Sequence, residues 1–375
     1  RKFMKLFKSL LVAPASLGLL APMAATANEV TINDFNAAEE IAVTNSRVDG
    51  LEARLNNFEA GSFSETTSAS FGVDFIVGSI DGNSTSEAVT AFYSYGIGLS
   101  TSFTGEDSLD VAIDAGNAVS ALNEMDFNSS DTLTVDGITY TFPIGEKVTV
   151  LVGDSTSGSA LYSTACVYGG FTNTLDDCGN ASSAFSATGH STAGGNGTVG
   201  FSGSYDINDE FALAFGYNGE GSVNNGLGTD AGLDFYGAQL TYTADDYGVS
   251  VTYADLDAAT AWGLNGYYTF ASNLPSVSVG YEFGELEVAN ADDQETTQWF
   301  VGLQWDELGN GTLGVAMGSR GPQLEDAEED MAYELFYTYN VNDSMTITPA
   351  IFILEDNDPG DDDTTGVVVK TSFSF

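Results

Sequence analysis

Apolar side chains alternate with small or polar ones through most of this chain, from Thr67 to Phe375. Between Val89 and Leu99, for example, every second residue is aliphatic or tyrosine. Successive side chains of a β-strand point to opposite faces of the sheet, so this period predicts strands with one apolar face. We predict about 16 such strands, which begin near residues 68, 88, 107, 132, 146, 197, 210, 231, 247, 259, 276, 296, 311, 331, 344 and 366.

The segments between the predicted strands alternate in length. Turn-like segments occupy 104–107, 143–146, 206–209, 244–246, 271–275, 306–311 and 340–344. The other connections are mostly longer and occupy 79–87, 116–131, 154–196, 218–230, 284–295, 318–330 and 355–365, with a short member near 255–258. Short turns on the periplasmic rim and long loops on the other rim are typical of outer-membrane barrels. The sequence therefore predicts an all-β fold, a transmembrane antiparallel β-barrel over residues 61–375, with the N-terminal segment in the periplasm.

Residues 1–40 have the features of an exported protein. Lys5 and Lys8 precede an apolar run over residues 10–20, and Ala25-Thr26-Ala27 fits a small-residue cleavage site. Residues 1–27 are therefore predicted to be a signal peptide. A short membrane anchor is the alternative, but the apolar run is shorter than the roughly 20 residues that span a bilayer. Residues 28–40 are then a short polar segment in the periplasm.

Residues 41–60 have heptad spacing in place of the period of two. One position of the repeat holds Ile41, Val48 and Leu55, and the other holds Thr44, Leu51 and Phe58. This pattern predicts a short coiled-coil helix ahead of the barrel, because a partner helix would bury the apolar stripe. The alternative is an amphipathic helix that lies against the same chain.

The chain is strongly acidic, with 54 Asp and Glu against nine Lys and Arg. Nucleic acid is excluded as a partner, because phosphate binding needs clustered basic side chains.

Strand parity places five carboxylates and two lysines on the inward face of the predicted barrel, where they would line a pore: Asp74, Asp110, Asp114, Glu282, Glu334, Lys147 and Lys370. The alternative for each carboxylate is a solvated wall residue without a special role. Together they predict a lumen that favours cations.

The longest predicted loop, 154–196, contains both cysteines of the chain, Cys166 and Cys178. Two cysteines in an exported protein predict a disulfide. In the chain-entropy model, closing a loop of this length stabilises the fold by about 3 kcal/mol. The bond either keeps a constriction rigid or lies in an exposed external loop, and the residues alone leave both interpretations open.

The last predicted strand points Val367, Val369, Thr371, Phe373 and Phe375 outward. A strand that ends on Phe373 and Phe375 in this pattern resembles the signal read by the outer-membrane assembly machinery. We therefore expect that machinery, membrane lipid and lipopolysaccharide to be partners of the chain.

Carboxylates cluster in two predicted outer loops, in the segments 325–330 and 355–363. Weak binding of Ca²⁺ or Mg²⁺ by carboxylate oxygens is one interpretation, and its candidate ligands are Asp356, Asp358, Asp361, Asp362 and Asp363. A hydrated acidic face without bound metal is the other. We expect no other cofactor.

The sequence contains few features that indicate a catalytic site. His190 is the single histidine, and the chain has no phosphate-binding loop, HExxH zinc motif or nucleophile elbow. Carboxylate pairs do not discriminate, since 54 acidic residues make them unavoidable. We therefore expect a protein that is not an enzyme.

Several short segments resemble cyanobacterial outer-membrane porins, which are related to the carbohydrate-selective porin family. They are Leu51–Leu55, Phe63–Thr67, Ser102–Asp107, Tyr140–Lys147, Cys166–Gly170 and Asp177–Gly179. The resemblance implies a homotrimer, and it implies that the 154–196 loop folds inward as a constriction loop that contains Asp176 and Asp177. These porins usually carry a surface-layer-homology domain before the coiled coil. Residues 28–40 are too few to form one, so we expect none here.

We predict a passive channel for inorganic ions and small hydrophilic solutes, with a preference for cations. A sugar-selective porin is one alternative, because the inward-facing rings of Phe92, Tyr267 and Phe336 would stack on sugars. The other alternative is a secreted, calcium-stabilised acidic β-sandwich that acts in surface adhesion. Such a sandwich would need neither a lipid-facing band nor the aromatic strand at Phe375.

Overall fold

The two-residue period forms antiparallel strands along the described part of the chain. In the computed structural model, this part comprises residues 67–375 without 83–87, 119–124, 126, 129–130, 164, 179–198, 222–225, 230–231, 233, 257–258, 272, 287–293, 325–326 and 358–361. The predicted signal peptide 1–27, polar segment 28–40 and coiled-coil helix 41–60 lie outside it, as does the start of the predicted barrel domain at 61–66.

The described residues form seventeen strands. They are β1 (Thr67–Asp81), β2 (Thr90–Thr101), β3 (Ser108–Gly116), β4 (Thr134–Ile144), β5 (Val148–Asp154), β6 (Val199–Asp206), β7 (Phe211–Gly219), β8 (Asp234–Thr243), β9 (Tyr247–Leu256), β10 (Ala259–Tyr268), β11 (Ser276–Leu286), β12 (Gln294–Trp305), β13 (Gly311–Ser319), β14 (Gln323–Leu324), β15 (Met331–Asn342), β16 (Met345–Leu354) and β17 (Thr364–Ser374). Among the described residues, no helix is long and apolar enough to cross a membrane.

All strands belong to one antiparallel sheet that closes on itself. Each long strand pairs with its neighbours in the chain, and β1 pairs with both β2 and β17. β14 has two residues and pairs with β12 beyond the end of β13, so the wall of the barrel has 16 strands. The predicted antiparallel barrel of about 16 strands is confirmed. The β-sandwich alternative is wrong, because a closed ring of paired strands is one sheet without a free edge.

The two faces of the sheet differ in side-chain chemistry, as the alternation predicts. On β11, Val279, Tyr281 and Phe283 are 44–45 % exposed. On the opposite face of the same strand, Ser278 and Glu282 are only 1 % and 3 % exposed. The outward face therefore carries a band of exposed apolar residues, and the inward face carries small and polar ones.

Short turns join the strands on one rim of the barrel, and mostly longer connections join them on the other. The short turns are 102–107, 145–147, 207–210, 244–246, 269–275, 306–310 and 343–344. Gly105, Gly145 and Gly309 have positive φ angles of 88°, 69° and 71° in three of these turns. Glycine adopts this conformation without a steric cost, which permits the tight connections.

Asp107 organises the β2–β3 turn. Its Oδ1 atom accepts hydrogen bonds from the Ser102 hydroxyl at 2.8 Å and from the backbone N–H groups of Phe103 and Thr104 at 2.9 and 2.8 Å. Its Oδ2 atom accepts one from the Tyr140 hydroxyl on β4 at 2.6 Å. The bond from Tyr140, together with those from the turn, holds the pKa of the Asp107 carboxyl well below its usual range.

Candidate functional site

One connection, the segment 155–178 between β5 and β6, lies against the inward face of the sheet; we call it the inner loop. It donates hydrogen bonds to residues on β6, β7, β11, β12 and β15, namely Ser202, Asn218, Ser278, Gln304 and Glu334. β6 and β15 lie on opposite sides of the closed ring. A segment that contacts the inward face of both strands must pass through the lumen from one side to the other, along the wall or across it.

Glu334, on the inward face of β15, holds the inner loop to the wall. Its Oε1 atom accepts hydrogen bonds from the Tyr168 hydroxyl at 2.7 Å and from the Phe171 N–H at 3.0 Å. Its Oε2 atom accepts hydrogen bonds from the Thr172 N–H at 2.8 Å and from the Thr172 hydroxyl at 2.6 Å. Because Glu334 is only 3 % exposed, donors from the loop take the place of solvent around its carboxylate.

Aromatic packing adds to this attachment. The ring of Tyr168 lies 5.4 Å from that of Phe300 and 6.1 Å from that of Phe336, measured between centroids. Phe171 lies 6.1 Å from Phe336. Burial, together with the neighbouring Glu334 carboxylate, raises the pKa of the Tyr168 hydroxyl above its ordinary value, so this hydroxyl stays a donor. The inner loop is therefore held by apolar contacts as well as by hydrogen bonds.

Cys166 and Cys178 form a disulfide within the inner loop, with their Cα atoms 6.2 Å apart. Cys178 is fully buried and ends a short 3₁₀ helix, Asp176–Cys178. The exposed Asp176 accepts a hydrogen bond from the Gly170 N–H at 3.2 Å. The side chain of Asp177 lies outside the described atoms. The disulfide thus closes the same segment that the wall carboxylate holds.

An acidic strip lies on the inward face of β1 and β3. It consists of Asp74, Asp110 and Asp114, which are partly exposed on the face that strand parity predicts. Asp110 accepts hydrogen bonds from the Ser108 hydroxyl at 2.9 and 2.8 Å, and Asp114 accepts one from the Thr134 hydroxyl at 2.9 Å. These carboxylates are thus held in place while they keep contact with solvent.

The lumen is open beside this acidic strip. A cavity there is lined by Ser70, Gly72, Gly96, Gly98, Asp114 and Asp136, among other residues. A Cβ atom added at Gly72 or at Gly96 would meet no atom within 4 Å. Glycine at these inward positions therefore leaves free space along β1 and β2.

The two predicted lysines occupy different places. Lys370 lies on the inward face of β17, with its Nζ atom 5.3 Å from the centre of the Phe171 ring. Lys147 lies in the β4–β5 turn, is exposed, and donates a hydrogen bond to the carbonyl oxygen of Ile207 at 2.9 Å. Strand parity does not apply within a turn, so Lys147 sits at the rim and not on the wall.

Glu282 and Glu334 face inward as predicted, but neither borders the open part of the lumen. Each is 3 % exposed. The alternation of a sequence identifies the face of a strand on which a residue lies, and it carries no information on what covers that face. The sequence pattern therefore did not reveal that the inner loop lies over β9–β12 and β15.

The metal candidates of the outer loops are only partly described. Of the five, Asp356, Asp362 and Asp363 are described, and Asp358 and Asp361 are not. Asp356 forms an ion pair with Arg320 at 3.0 Å, and its N–H donates to Asp363 at 3.1 Å. Within the described ranges, no group of three or more His, Cys, Asp or Glu residues is arranged to hold a metal ion.

Phe373 and Phe375 lie at the seam where β17 meets β1. The ring of Phe375 stacks on Phe71 with centroids 5.7 Å apart, and Phe373 meets Phe75 edge-on at 6.2 Å. Backbone hydrogen bonds of 2.8 and 3.1 Å join Phe71 and Phe375 in both directions. The predicted assembly signal is thus part of the closing strand pair, and its recognition by assembly machinery stays a prediction.

Several solved structures have similar folds, and they include an outer membrane protein and a porin. The chain is similar to OprB of Pseudomonas putida, with a TM-score of 0.60 and 13 % identity over 83 % of this chain and 94 % of that one. It is similar to a loop L8 deletion mutant of OmpT from Vibrio cholerae, with a TM-score of 0.55 and 12 % identity over 83 % of this chain and 100 % of that one. A mutant of the Rh. blastica porin gives a TM-score of 0.52 and 13 % identity over 82 % and 100 %. The chain therefore has the porin β-barrel fold.

Two relatives in sequence are cyanobacterial. The uncharacterized protein alr4550 of Nostoc sp. is 26 % identical, over 97 % of this chain and 75 % of its own length. The uncharacterized protein sll0772 of Synechocystis sp. is 25 % identical, over 97 % of this chain and 77 % of its own length. No protein-family model matches the chain. Membership of the carbohydrate-selective porin family is therefore not confirmed.

Proposed function

We propose that the protein is an outer-membrane porin, a passive channel for inorganic ions and small hydrophilic solutes that prefers cations. The observation that carries this proposal is a closed barrel whose lumen contains the inner loop and is open beside an acidic strip. In this proposal the inner loop is the constriction of the channel, and Asp176 and Asp177 belong to it.

The outward face of the barrel supports a position in the membrane. A sheet in hydrocarbon must pair its backbone groups internally, which a closed ring of strands achieves. Aromatic rings gather near the short-turn rim, where Tyr242 lies 4.8 Å from Phe211 and 5.8 Å from Tyr247, and Tyr268 lies 4.7 Å from Phe270. Aromatic belts are typical of membrane interfaces. The short-turn rim would face the periplasm, and membrane lipid and lipopolysaccharide would surround the barrel.

The charge of the lumen supports a preference for cations. Asp74, Asp110 and Asp114 face the open passage, and Lys370 is the one basic residue on an inward face of the described strands. Carboxylates of one sign in a narrow passage raise the local concentration of cations and repel anions. The preference for cations should weaken at high salt, because screening shortens the range of the electrostatic field of these carboxylates.

Reversal potentials across a planar bilayer under a KCl gradient test this proposal. We expect the sign of potential that permeation by K⁺ produces. Replacing the acidic strip with the triple variant D74N/D110N/D114N should move the potential toward zero, because the fixed negative charge of the open passage falls. A wild-type potential of the opposite sign, which shows preference for anions, would contradict the proposal.

A matched control removes an equal charge outside the lumen. The triple variant D209N/E285Q/E295Q replaces three exposed carboxylates of a turn and of the strand ends at the other rim. Its reversal potential should stay at the wild-type value. An equal shift in both triple variants would assign the selectivity to the net charge of the chain and not to the acidic strip.

The sugar-selective alternative has less support from the positions of its aromatic residues. Phe336 is 5 % exposed beneath the inner loop, and Phe92 packs against the buried cluster inside the barrel. Tyr267 alone is left to meet a solute, and one ring does not form a track for sugars. Block of the K⁺ current by added sugars would instead favour the sugar-selective channel.

The homotrimer implied by the resemblance is part of the proposal. The mass of the detergent-solubilised particle, after the detergent is subtracted, tests it. A particle of three chains would support the proposed assembly, and a particle of one chain would contradict it without affecting the channel.

A further inference from the structure

The inner loop covers a strip of wall on β9–β12 between two points of attachment. At one point, Tyr162 packs against a buried apolar cluster that includes Phe235 and Ala254. At the other, the N–H of Val167 donates a hydrogen bond to Ser278 Oγ on β11 at 3.1 Å. Between these two points, inward polar side chains of β9, β10 and β11 are buried.

Three polar side chains on this strip share the inward face: Ser250, Asn265 and Glu282. Ser250 is opposite Asn265 in the register of β9 and β10. Glu282 is opposite Gly263 and therefore diagonal to Asn265 across β10 and β11. Diagonal positions of this kind lie about 7–8 Å apart, within reach of long side chains. The three residues are 5 %, 5 % and 3 % exposed.

These side chains lack partners within the described chain. The Ser250 hydroxyl, both amide atoms of Asn265 and the Oε2 atom of Glu282 are buried and make no hydrogen bond to any described residue. The ion pair present among the described residues joins Arg320 to Asp356, so no described basic side chain pairs with Glu282. A buried carboxylate is unfavourable unless donors or an opposite charge surround it.

We propose that Glu282, Asn265 and Ser250 bind one monovalent cation of the Na⁺ or K⁺ class beneath the inner loop. Carboxylate, amide and hydroxyl oxygens are the ligands that hard cations prefer. One carboxylate balances a single positive charge, whereas a divalent ion would leave a net charge in a buried site. The bound ion would join the wall strands β9–β11 under the loop. The site does not depend on the proposed channel activity.

Thallium(I), a K⁺ analogue with strong anomalous scattering, tests the site. Crystals of the full chain soaked in a thallium salt should show an anomalous peak in contact with Glu282 and Asn265. The variant E282Q keeps the shape of the side chain, removes its charge, and should lose the peak. The control E295Q changes an exposed glutamate on the adjacent strand and should keep it. Absence of the peak in the wild type, or its persistence in E282Q, would overturn the proposal.

Thermal unfolding in detergent gives a second measurement that needs no crystal. At equal pH and ionic strength, the unfolding midpoint of the wild type should be higher in KCl than in N-methylglucamine chloride, because an ion that binds the folded state stabilises it. N265A should lose this difference and E295Q should retain it. Equal wild-type midpoints in the two salts would overturn the site. Neither experiment measures ion flow, so failure of the site and failure of the porin proposal are distinguishable.

Discussion

Glu282 and Glu334 are the same residue type, on the same face and equally buried, yet their surroundings differ. The Glu334 carboxylate accepts hydrogen bonds from Tyr168, Phe171 and Thr172 of the inner loop. The Oε2 atom of Glu282 accepts none from the described residues. The inner loop presents the N–H groups of Phe171 and Thr172 to Glu334, whereas no described N–H group of the loop donates to the Oε2 atom of Glu282. At the residue scale, Glu334 therefore positions the loop.

Replacing Glu334 with glutamine should loosen the inner loop. Hydrogen bonds to a charged acceptor contribute about 1.5–3 kcal/mol each, and a glutamine amide would turn an N–H₂ group toward donors of the loop. We expect E334Q to fold, because the barrel wall is unchanged, and to show a larger mean conductance with more open-channel noise. Single-channel recording measures both quantities.

The control for E334Q is E285Q, which alters an exposed glutamate at the end of β11. Its conductance and noise should match the wild type. A wild-type current trace from E334Q would show that the packing of Tyr168 and Phe171 holds the loop without the carboxylate.

Asp107 makes stability depend on pH at the short-turn rim. Hydrogen bonding lowers the pKa of its carboxyl in the folded state, relative to about 3.9 in an unfolded chain. Its contribution to stability is therefore complete above that pH and is lost as the pH falls below it. We expect D107N to unfold at a lower temperature than the wild type at neutral pH, and the difference to shrink in acid. Band shifts of heated samples on gels measure the midpoints.

An exposed carboxylate of the neighbouring turn is the control for Asp107. D209N changes a side chain on the β6–β7 turn, and its midpoint should follow the wild type at every pH. If the difference between D107N and the wild type were constant down to strong acid, ionisation of Asp107 would not be its cause.

At the scale of elements, the surroundings of two strand glycines predict opposite effects on conductance when each glycine is replaced by alanine. A Cβ atom at Gly302 on β12 would lie 2.6 Å from the Phe300 ring and 2.8 Å from the Tyr168 ring, whereas one at Gly96 would meet nothing within 4 Å. G302A should therefore displace the inner loop and change the conductance, while G96A should leave the conductance close to the wild type. Recording both variants under one condition checks this, and equal currents would contradict it.

The strands and the alternation of turn and loop lengths could be predicted from the sequence, because a period of two and turn residues are local features. The burial of Glu334 could not, because it depends on where the 155–178 segment folds. The position of Lys147 was missed for a different reason. The β4–β5 turn ends one residue later than predicted, so Lys147 belongs to the turn. The alternation of inward and outward side chains holds only within a strand.

At the scale of the whole molecule, closure is the step that converts a sheet into a channel. The pairing of β1 with β17 joins the two ends of the barrel domain, which are the most distant partners in sequence. Contacts of this separation form late in folding, because the loop-closure entropy is largest for them. The aromatic contacts of Phe71 with Phe375 and of Phe75 with Phe373 lie on this seam. They are therefore placed to stabilise the closed ring.

Deleting Phe375 should weaken the seam more than removing an equally exposed aromatic elsewhere on the same rim. The deletion removes two backbone hydrogen bonds and one stacked ring pair, and a ring pair of this kind contributes about 0.5–1.5 kcal/mol. We expect slower closure during refolding into detergent and a lower unfolding midpoint, both followed by the band shift on gels. F103A, which removes a 67 % exposed ring from the β2–β3 turn, is the matched control. If F103A slowed refolding as much as the deletion, the effect would belong to the aromatic rim and not to the closing strand pair.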